Sequence, residues 1–208
     1  APAKVRMAEE AIDWNGRPIA HPVTGHDDTS IMMTDAPSLR LSLPATKVQR
    51  PSFRMAQIAR PALEQRLAAA LTRGKLVLVT APAGSGKTIS IVRAIELLGD
   101  KAESFWISAD PEDDLARLLS AFELALETAD IPWRNSVRGL LEITRQSEAG
   151  PAQIAELVAD ALAASAVQHG TIILDDGHRL HDTAIFQWLE RLVERLPRNW
   201  TIAILSRE

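Results

Sequence analysis

The 208-residue sequence contains no cysteine and no tyrosine, and only 4% of its residues are aromatic. The lack of cysteine excludes a disulfide framework, a thiol nucleophile and a cysteine-ligated zinc site. The shortage of aromatic rings argues against a stacking surface for single-stranded nucleic acid. No apolar run approaches the ~18 residues that span a membrane, and the charged start APAKVRMAEE lacks a signal-peptide core. We therefore expect a soluble, cytoplasmic protein with no membrane contact. Because it begins without methionine, we also expect it to be processed or cut from a longer chain.

Charge of either sign is moderate overall but unevenly distributed. Residues 40–73 carry seven basic and one acidic side chain, a net +6, whereas residues 74–208 carry thirteen and twenty, a net −7. A basic block of this kind is able to contact phosphates or nucleic acid. Because its arginines are scattered rather than clustered, we expect a solvated face instead.

The chain divides into an irregular N-terminal arm, residues 1–42, and an α/β domain, residues 43–208. The arm is rich in Gly, Pro, Asp and Ser, as in NGRPIAHPVTGHDDTS, and shows no sustained apolar period. In the domain, short apolar segments predict strands at 76–79, 104–108, 171–176 and 201–207. Stripes of apolar residues predict helices between them, and residues 130–150 are expected to be helical in part. This alternation predicts a P-loop-type three-layer α/β/α fold with a mostly parallel sheet.

The first predicted strand runs into the segment Ala81-Pro-Ala83-Gly84-Ser85-Gly86-Lys87-Thr88. It fits a P-loop except that Ala81 replaces the first glycine, a position that needs only a small residue. The glycines allow backbone N–H groups to approach phosphates, and the next helix presents its positive N-terminus to them. Lys87 would then bridge the β- and γ-phosphates, and the Thr88 hydroxyl would bind Mg²⁺.

Two further strand ends carry polar residues, and ligands of open α/β sheets bind at such ends. Asp175 and Asp176 follow Thr171–Leu174, so Asp175 is predicted to hold Mg²⁺ and Asp176 to polarise the attacking water. Arg207 leaves the last strand, expected beside the P-loop strand, and is a candidate for reading the γ-phosphate.

Other nucleotide and metal chemistries are disfavoured by what the sequence lacks. His178 and His181 form an i, i+3 pair, but no third ligand with suitable spacing accompanies them, so a zinc site is not expected. An Asn-Lys-x-Asp guanine-reading motif, a Leu-Ser-Gly-Gly signature and an arginine-rich kinase lid are missing too. The acidic pair favours a hydrolysing ATP-binding protein.

Six segments together resemble the ATPase domain of MalT-like, large LuxR-type transcription regulators, within the STAND class of signal-transducing NTPases. They are LPATKVQRP, IARPALEQRL, LVLVTAPAGSGKT, FWISADPEDDLARLL, IILDDGHRL and IAILSR, spread over residues 43–208. The resemblance implies that Gly84, Gly86, Lys87 and Thr88 form Walker A, that Asp175 and Asp176 form Walker B, and that Arg207 is the sensor arginine. It also implies that Ile58 and Arg60 lie over adenine and ribose. Ala109 and Gly177 depart from the family pattern, at positions expected not to touch the phosphates.

The function implied by this resemblance is a switch that binds ATP or ADP with Mg²⁺ and hydrolyses ATP slowly. ADP would mark the resting state, and an inducer would favour an ATP-bound, self-oligomerising state. DNA would be bound only through a C-terminal domain absent here, and we expect the last strand of a five-stranded core to be absent also. Two alternatives stay open: a stand-alone P-loop ATPase or kinase with true turnover, and a partner-binding module with structural nucleotide.

Overall fold

A computed structural model describes residues 43–53, 58–127 and 149–207. The predicted arm, residues 1–42, lies outside these ranges, and so does the stretch 130–148, for which partial helix is expected; both remain predictions. Within the described ranges, strands and helices alternate along the chain, as the apolar segments predict.

Five helices and four strands are present in the described part of the chain. The helices are α1 (Pro61–Arg73), α2 (Lys87–Leu98), α3 (Leu115–Glu127), α4 (Pro151–Ala163) and α5 (Thr183–Arg195). The strands are β1 (Leu76–Thr80), β2 (Ala102–Ser108), β3 (His169–Asp175) and β4 (Trp200–Ser206). Short 3-10 turns occur at Ala45–Val48, Gly99–Lys101 and Gly177–Arg179.

The helix ends follow from local sequence. Pro61 opens α1, a position where the missing N–H of proline costs nothing. Gly74 ends it by donating its N–H to the Ala70 carbonyl. Asp182 caps α5, because its carboxylate accepts the Ala184 N–H at 2.9 Å. Proline at the start of a helix and glycine just past its end are typical, so both ends of α1 accord with the local sequence.

The four strands form one parallel sheet in the order β1-β4-β3-β2. The register pairs Thr80 with Ser206 and Ser108 with Asp175, so the carboxyl ends of neighbouring strands lie at one edge. The prediction that the last strand lies beside the P-loop strand is confirmed. This edge is where such sheets bind ligands.

The two faces of the sheet carry separate apolar cores, so the predicted three-layer α/β/α arrangement is confirmed. Successive strand residues point to opposite faces, which explains why Trp106 belongs to one core and its neighbours Phe105 and Ile107 to the other. Helices α1 and α2 cover the first face, and α3, α4 and α5 cover the second. Among the helices in the described ranges, none has the length and hydropathy of a membrane span.

Candidate functional site

The loop between β1 and α2 has the backbone shape of a phosphate cradle. Gly84 and Gly86 adopt φ values of 74° and 85°, in the left-handed region that glycine tolerates best. A Cβ atom at either position would meet nothing within 4 Å. The glycines are therefore required by the backbone conformation and not by crowding, and the loop surface beside them is open to a ligand.

Lys87 is the first residue of α2, and its ammonium group folds back over the loop. Its Nζ donates hydrogen bonds to the carbonyl oxygens of Ala81 at 2.7 Å and Pro82 at 3.1 Å. The positive charge therefore lies directly beside the loop, where the α2 N-terminus adds its own partial positive charge. Loop, lysine and helix end together form a site suited to an anion.

Thr88 and Asp175 are brought together from the start of α2 and the end of β3. The Thr88 hydroxyl donates to Asp175 Oδ2 at 3.0 Å, and Asp175 Oδ1 accepts the Asp176 N–H at 2.9 Å. A hydroxyl and a carboxylate are hard oxygen donors that fit Mg²⁺, which usually takes one or two protein ligands and completes its shell with water and phosphate. Across the described ranges, no group of three or more His, Cys, Asp or Glu side chains is placed to hold a metal ion. By their chemistry, Thr88 and Asp175 would fit a magnesium site that phosphate and water complete.

Asp176 holds an unusual backbone conformation at the same edge. Its φ of 55° and ψ of 34° are left-handed, the one such conformation among the described non-glycine residues. This conformation costs roughly 1–3 kcal/mol and is typical of functional sites. The Arg179 N–H closes the turn onto the Asp176 carbonyl at 2.9 Å. The carboxylate is 38% exposed and lies 3.9 Å from His178 Nδ1 and 4.0 Å from Arg179 Nε.

The remaining predicted site residues lie around the loop at differing distances. Arg60 contacts it, because its Nη1 donates to the Ser85 carbonyl at 3.2 Å. Ile58 precedes α1 and is 87% exposed. Arg207 is exposed and follows Ser206, whose carbonyl accepts the Ala81 N–H at 3.4 Å. Within the described chain the guanidinium of Arg207 makes no hydrogen bond to the loop, so only its backbone position is beside the cradle.

Sequence reasoning missed a buried charge cluster next to this edge. Lys47 Nζ donates to the Ser108 carbonyl at 3.0 Å and to the carboxylates of Asp110 and Asp113, each at 2.8 Å. Lysine is rarely buried unless it is paired, and here all three ammonium donors have an acceptor. The acidic residues after β2 could have indicated a paired cation. That cation, Lys47, lies more than 60 residues earlier in the chain, so no local sequence pattern connects it with them.

Lys47 also corrects the prediction that the basic block is a solvated face. Of the described basic residues in that block, one is buried and the others are exposed. The exposed ones are Arg50, Arg60, Arg66 and Arg73. The prediction is wrong at Lys47 because three acceptors at the end of β2 replace its hydration.

Comparison with known proteins agrees with this geometry. A family model described as an AAA domain matches residues 70–202. The HTH-type transcriptional regulator MalT of Vibrio cholerae is 31% identical over 165 residues, which is 78% of this chain. The chain spans only 17% of the length of that relative.

Two solved structures are similar at low identity. The Walker-type ATPase PABY2304 of Pyrococcus abyssi is 13% identical, with a TM-score of 0.43 over 78% of this chain and 49% of that one. PCH-2 of C. elegans is 19% identical, with a TM-score of 0.34 over 71% of this chain and 35% of that one. The family assignment depends on the sequence matches and on the sheet and loop described above. The chain therefore belongs to the AAA domain family, as a P-loop ATPase domain similar to that of MalT.

Proposed function

We propose that this domain binds ATP and ADP with Mg²⁺, hydrolyses ATP slowly and acts as the nucleotide switch of a larger transcription regulator. The observation that carries the proposal is the 3.0 Å contact between Thr88 Oγ1 and Asp175 Oδ2 beside the Lys87 loop. This contact supports the proposal because Thr88 and Asp175, the two expected magnesium ligands, would then lie together at the start of the helix that would hold the phosphates. A chance glycine turn would not need a carboxylate from another strand at this point.

In this proposal the loop residues hold the phosphates. Backbone N–H groups from Ala83 to Thr88 would donate to phosphate oxygens, and Lys87 would move its ammonium group from the loop carbonyls to the β- and γ-phosphates. Arg60, already hydrogen-bonded to Ser85, and the exposed Ile58 would cover ribose and adenine. A bound Mg²⁺ would neutralise charge on the phosphates and be held by Thr88 and Asp175.

Asp176 and Arg207 would act on the γ-phosphate. Asp176 would accept a proton from the attacking water, because its carboxylate is partly exposed one residue beyond the magnesium ligand. Arg207 would pair with γ-phosphate oxygens. Because only ATP offers that group, ATP and ADP would stabilise different domain arrangements, which is the physical basis of a switch.

The role proposed for the full-length protein is based on the similarity to MalT and on the predicted domain boundaries. We propose that residues 43–208 form the ATPase unit and residues 1–42 an arm, and that the full regulator works in the cytoplasm. Its ATP state would self-associate in response to an inducer, and DNA would be bound through a separate C-terminal domain. MalT is named as a helix-turn-helix regulator, which supports this setting.

Isothermal calorimetry with Mg-ATP tests the cradle. Lys87→Ala is expected to weaken binding about 100-fold, roughly 3 kcal/mol, because it removes the positive charge from the phosphates. Lys75→Ala is the matched control, since Lys75 precedes β1 and donates to the Glu194 carbonyl. Equal affinity of wild type and Lys87→Ala would contradict the phosphate assignment.

Single-turnover ATP hydrolysis tests the chemistry. We expect a rate well below the roughly 1–100 per second of dedicated phosphotransfer enzymes, because the one arginine assigned to the γ-phosphate is exposed to water, which weakens its field. Asp176→Asn should lower the rate about 100-fold while sparing affinity, since it removes a base and leaves the cradle. The control Asp160→Asn alters an exposed carboxylate on α4.

The two rival functions give different results in the same assays. Brisk multiple turnover by this chain, or transfer of phosphate to another molecule, would favour a true ATPase or kinase. Tight nucleotide binding with no hydrolysis at all, and an unchanged result for Asp176→Asn, would favour a module with structural nucleotide.

A further inference from the structure

Six side chains of alternating charge form a row that links the buried Lys47 to Asp176; we name it the ion row. Successive members approach at 3.6, 2.8, 2.8, 3.9 and 4.0 Å between nitrogen and carboxylate oxygen. In order, they are Arg117, Asp113, Lys47, Asp110, Arg179 and Asp176. The row starts on α3, passes the segment after β2 and Lys47 from the segment before α1, and ends at the turn after β3.

The Lys47 end of the row is fixed. The side chains of Lys47 and Asp113 are 1% and 0% exposed. Asp110 is held twice, because its Oδ2 accepts from Lys47 and its backbone N–H donates to Asp113 Oδ2 at 2.8 Å. Its other oxygen, Oδ1, is the one that lies 3.9 Å from Arg179 Nη1. Asp110 therefore offers Arg179 a carboxylate whose position is set by buried partners.

The other end of the row lies at the surface, where Arg179 stands between two carboxylates. Its side chain is 40% exposed, with Nη1 toward Asp110 and Nε toward Asp176 Oδ2. Both distances are longer than a hydrogen bond, so the attraction is electrostatic. Its direction is set only by the two guanidinium nitrogens that face the two carboxylates. A single ammonium group has no second nitrogen with which to face both acids at once.

We propose that Arg179 is a positioning residue for Asp176, with Asp110 as its fixed support. This inference rests on the proposed role of Asp176 in activating water. The Asp176 backbone is left-handed and its carboxylate is partly exposed, so rotation of the side chain is not prevented by packing. Attraction of Oδ2 toward Arg179 restricts that rotation and leaves Oδ1, which lies 3.9 Å from His178 Nδ1, for the water. Arg179 thereby connects the segment around Lys47 with the edge of the sheet where hydrolysis would occur.

The test compares single-turnover hydrolysis with ATP affinity in the same variants of this chain. Arg179→Gln should lower the hydrolysis rate about tenfold, as loss of a supporting partner commonly does, while the Kd for Mg-ATP stays within about twofold. Arg179→Lys should recover part of the rate because it restores the charge without the fork. Asp110→Asn should lower the rate in the same direction. Arg198→Gln, an exposed arginine before β4, is the matched control and should match wild type.

A double substitution separates this inference from the function on which it rests. When Asp176→Asn is already present, Arg179→Gln should cause no further loss, because it acts only through that carboxylate. If Asp176→Asn itself leaves the rate unchanged, the proposed function fails. If Asp176→Asn lowers the rate but Arg179→Gln does not, or if Arg179→Gln instead weakens ATP binding, the positioning role is overturned while the proposed function stands.

Discussion

Replacing Lys47 by methionine should destabilise the fold by about 3 kcal/mol. The change keeps most of the apolar stem but leaves the fully buried Asp113 carboxylate without its ammonium partner. Breaking a buried ion pair from one side costs about 3–5 kcal/mol, because the remaining charge is uncompensated. The lower figure applies here, since Asp113 keeps the Asp110 N–H at 2.8 Å and Arg117 at 3.6 Å. Asp110 is 46% exposed and can recover water.

Urea unfolding followed by tryptophan fluorescence measures this cost. With a slope of about 2 kcal/mol per molar, a loss of ~3 kcal/mol lowers the midpoint by roughly 1.5 M. Lys47→Met combined with Asp113→Asn should recover part of the loss, because it removes the orphaned charge. Arg50→Gln is the control: its pair with Glu96 has side chains 42% and 61% exposed and should matter by under about 1 kcal/mol. A loss below about 1 kcal/mol for Lys47→Met would refute the reasoning.

Two further predictions concern other parts of the fold. A Cβ on Gly170 would overlap the buried indole of Trp200, so Gly170→Ala should lower the free energy of unfolding in urea by about 3 kcal/mol. A Cβ on Gly150 would meet no atom within 4 Å, so the control Gly150→Ala should lower it by under about 1 kcal/mol. Similar losses for both variants would contradict the packing argument. Hydrogen bonding from Arg191 lowers the pKa of Glu156 below its ordinary 4.5, so its carboxyl carbon should titrate below 4.5 in wild type and closer to 4.5 in Arg191→Gln, where Arg195 still lowers the pKa. Any stability from this partly exposed pair is present above the ordinary pKa and is lost as pH falls through the folded-state pKa. A wild-type NMR midpoint at or above 4.5 would contradict the pairing.

The parts of the fold that were predictable are those coded by neighbouring residues. Apolar segments located the strands within one or two residues, because a central strand such as β3 is buried on both faces of the sheet and is apolar over most of its length. Pro61 and Gly74 located the ends of α1. The contact between Thr88 and Asp175 could also be anticipated, because strand ends in a parallel sheet meet at one edge.

The features that escaped prediction depend on long-range partners or on backbone strain. Lys47 is buried because its ammonium group pairs with the carboxylates of Asp110 and Asp113, which lie 63 and 66 residues later in the chain. No local signal distinguishes it from the exposed Arg50. The left-handed backbone at Asp176 is equally hidden, since Gly177 next to it is the residue that sequence rules would place there.

The gradient of exposure along the ion row has a consequence for its response to dissolved salt. Mobile ions screen charges that water reaches, with a Debye length of about 3 Å at 1 M ionic strength, but they screen buried pairs far less. Raising the salt concentration therefore weakens the attraction of Arg179 for Asp110 and Asp176, whose side chains are 40%, 46% and 38% exposed. The pair of Lys47 with Asp113 persists under the same conditions. The ion row therefore has two parts: the part around Arg179 responds to the ionic strength of the solution, and the part around Lys47 does not.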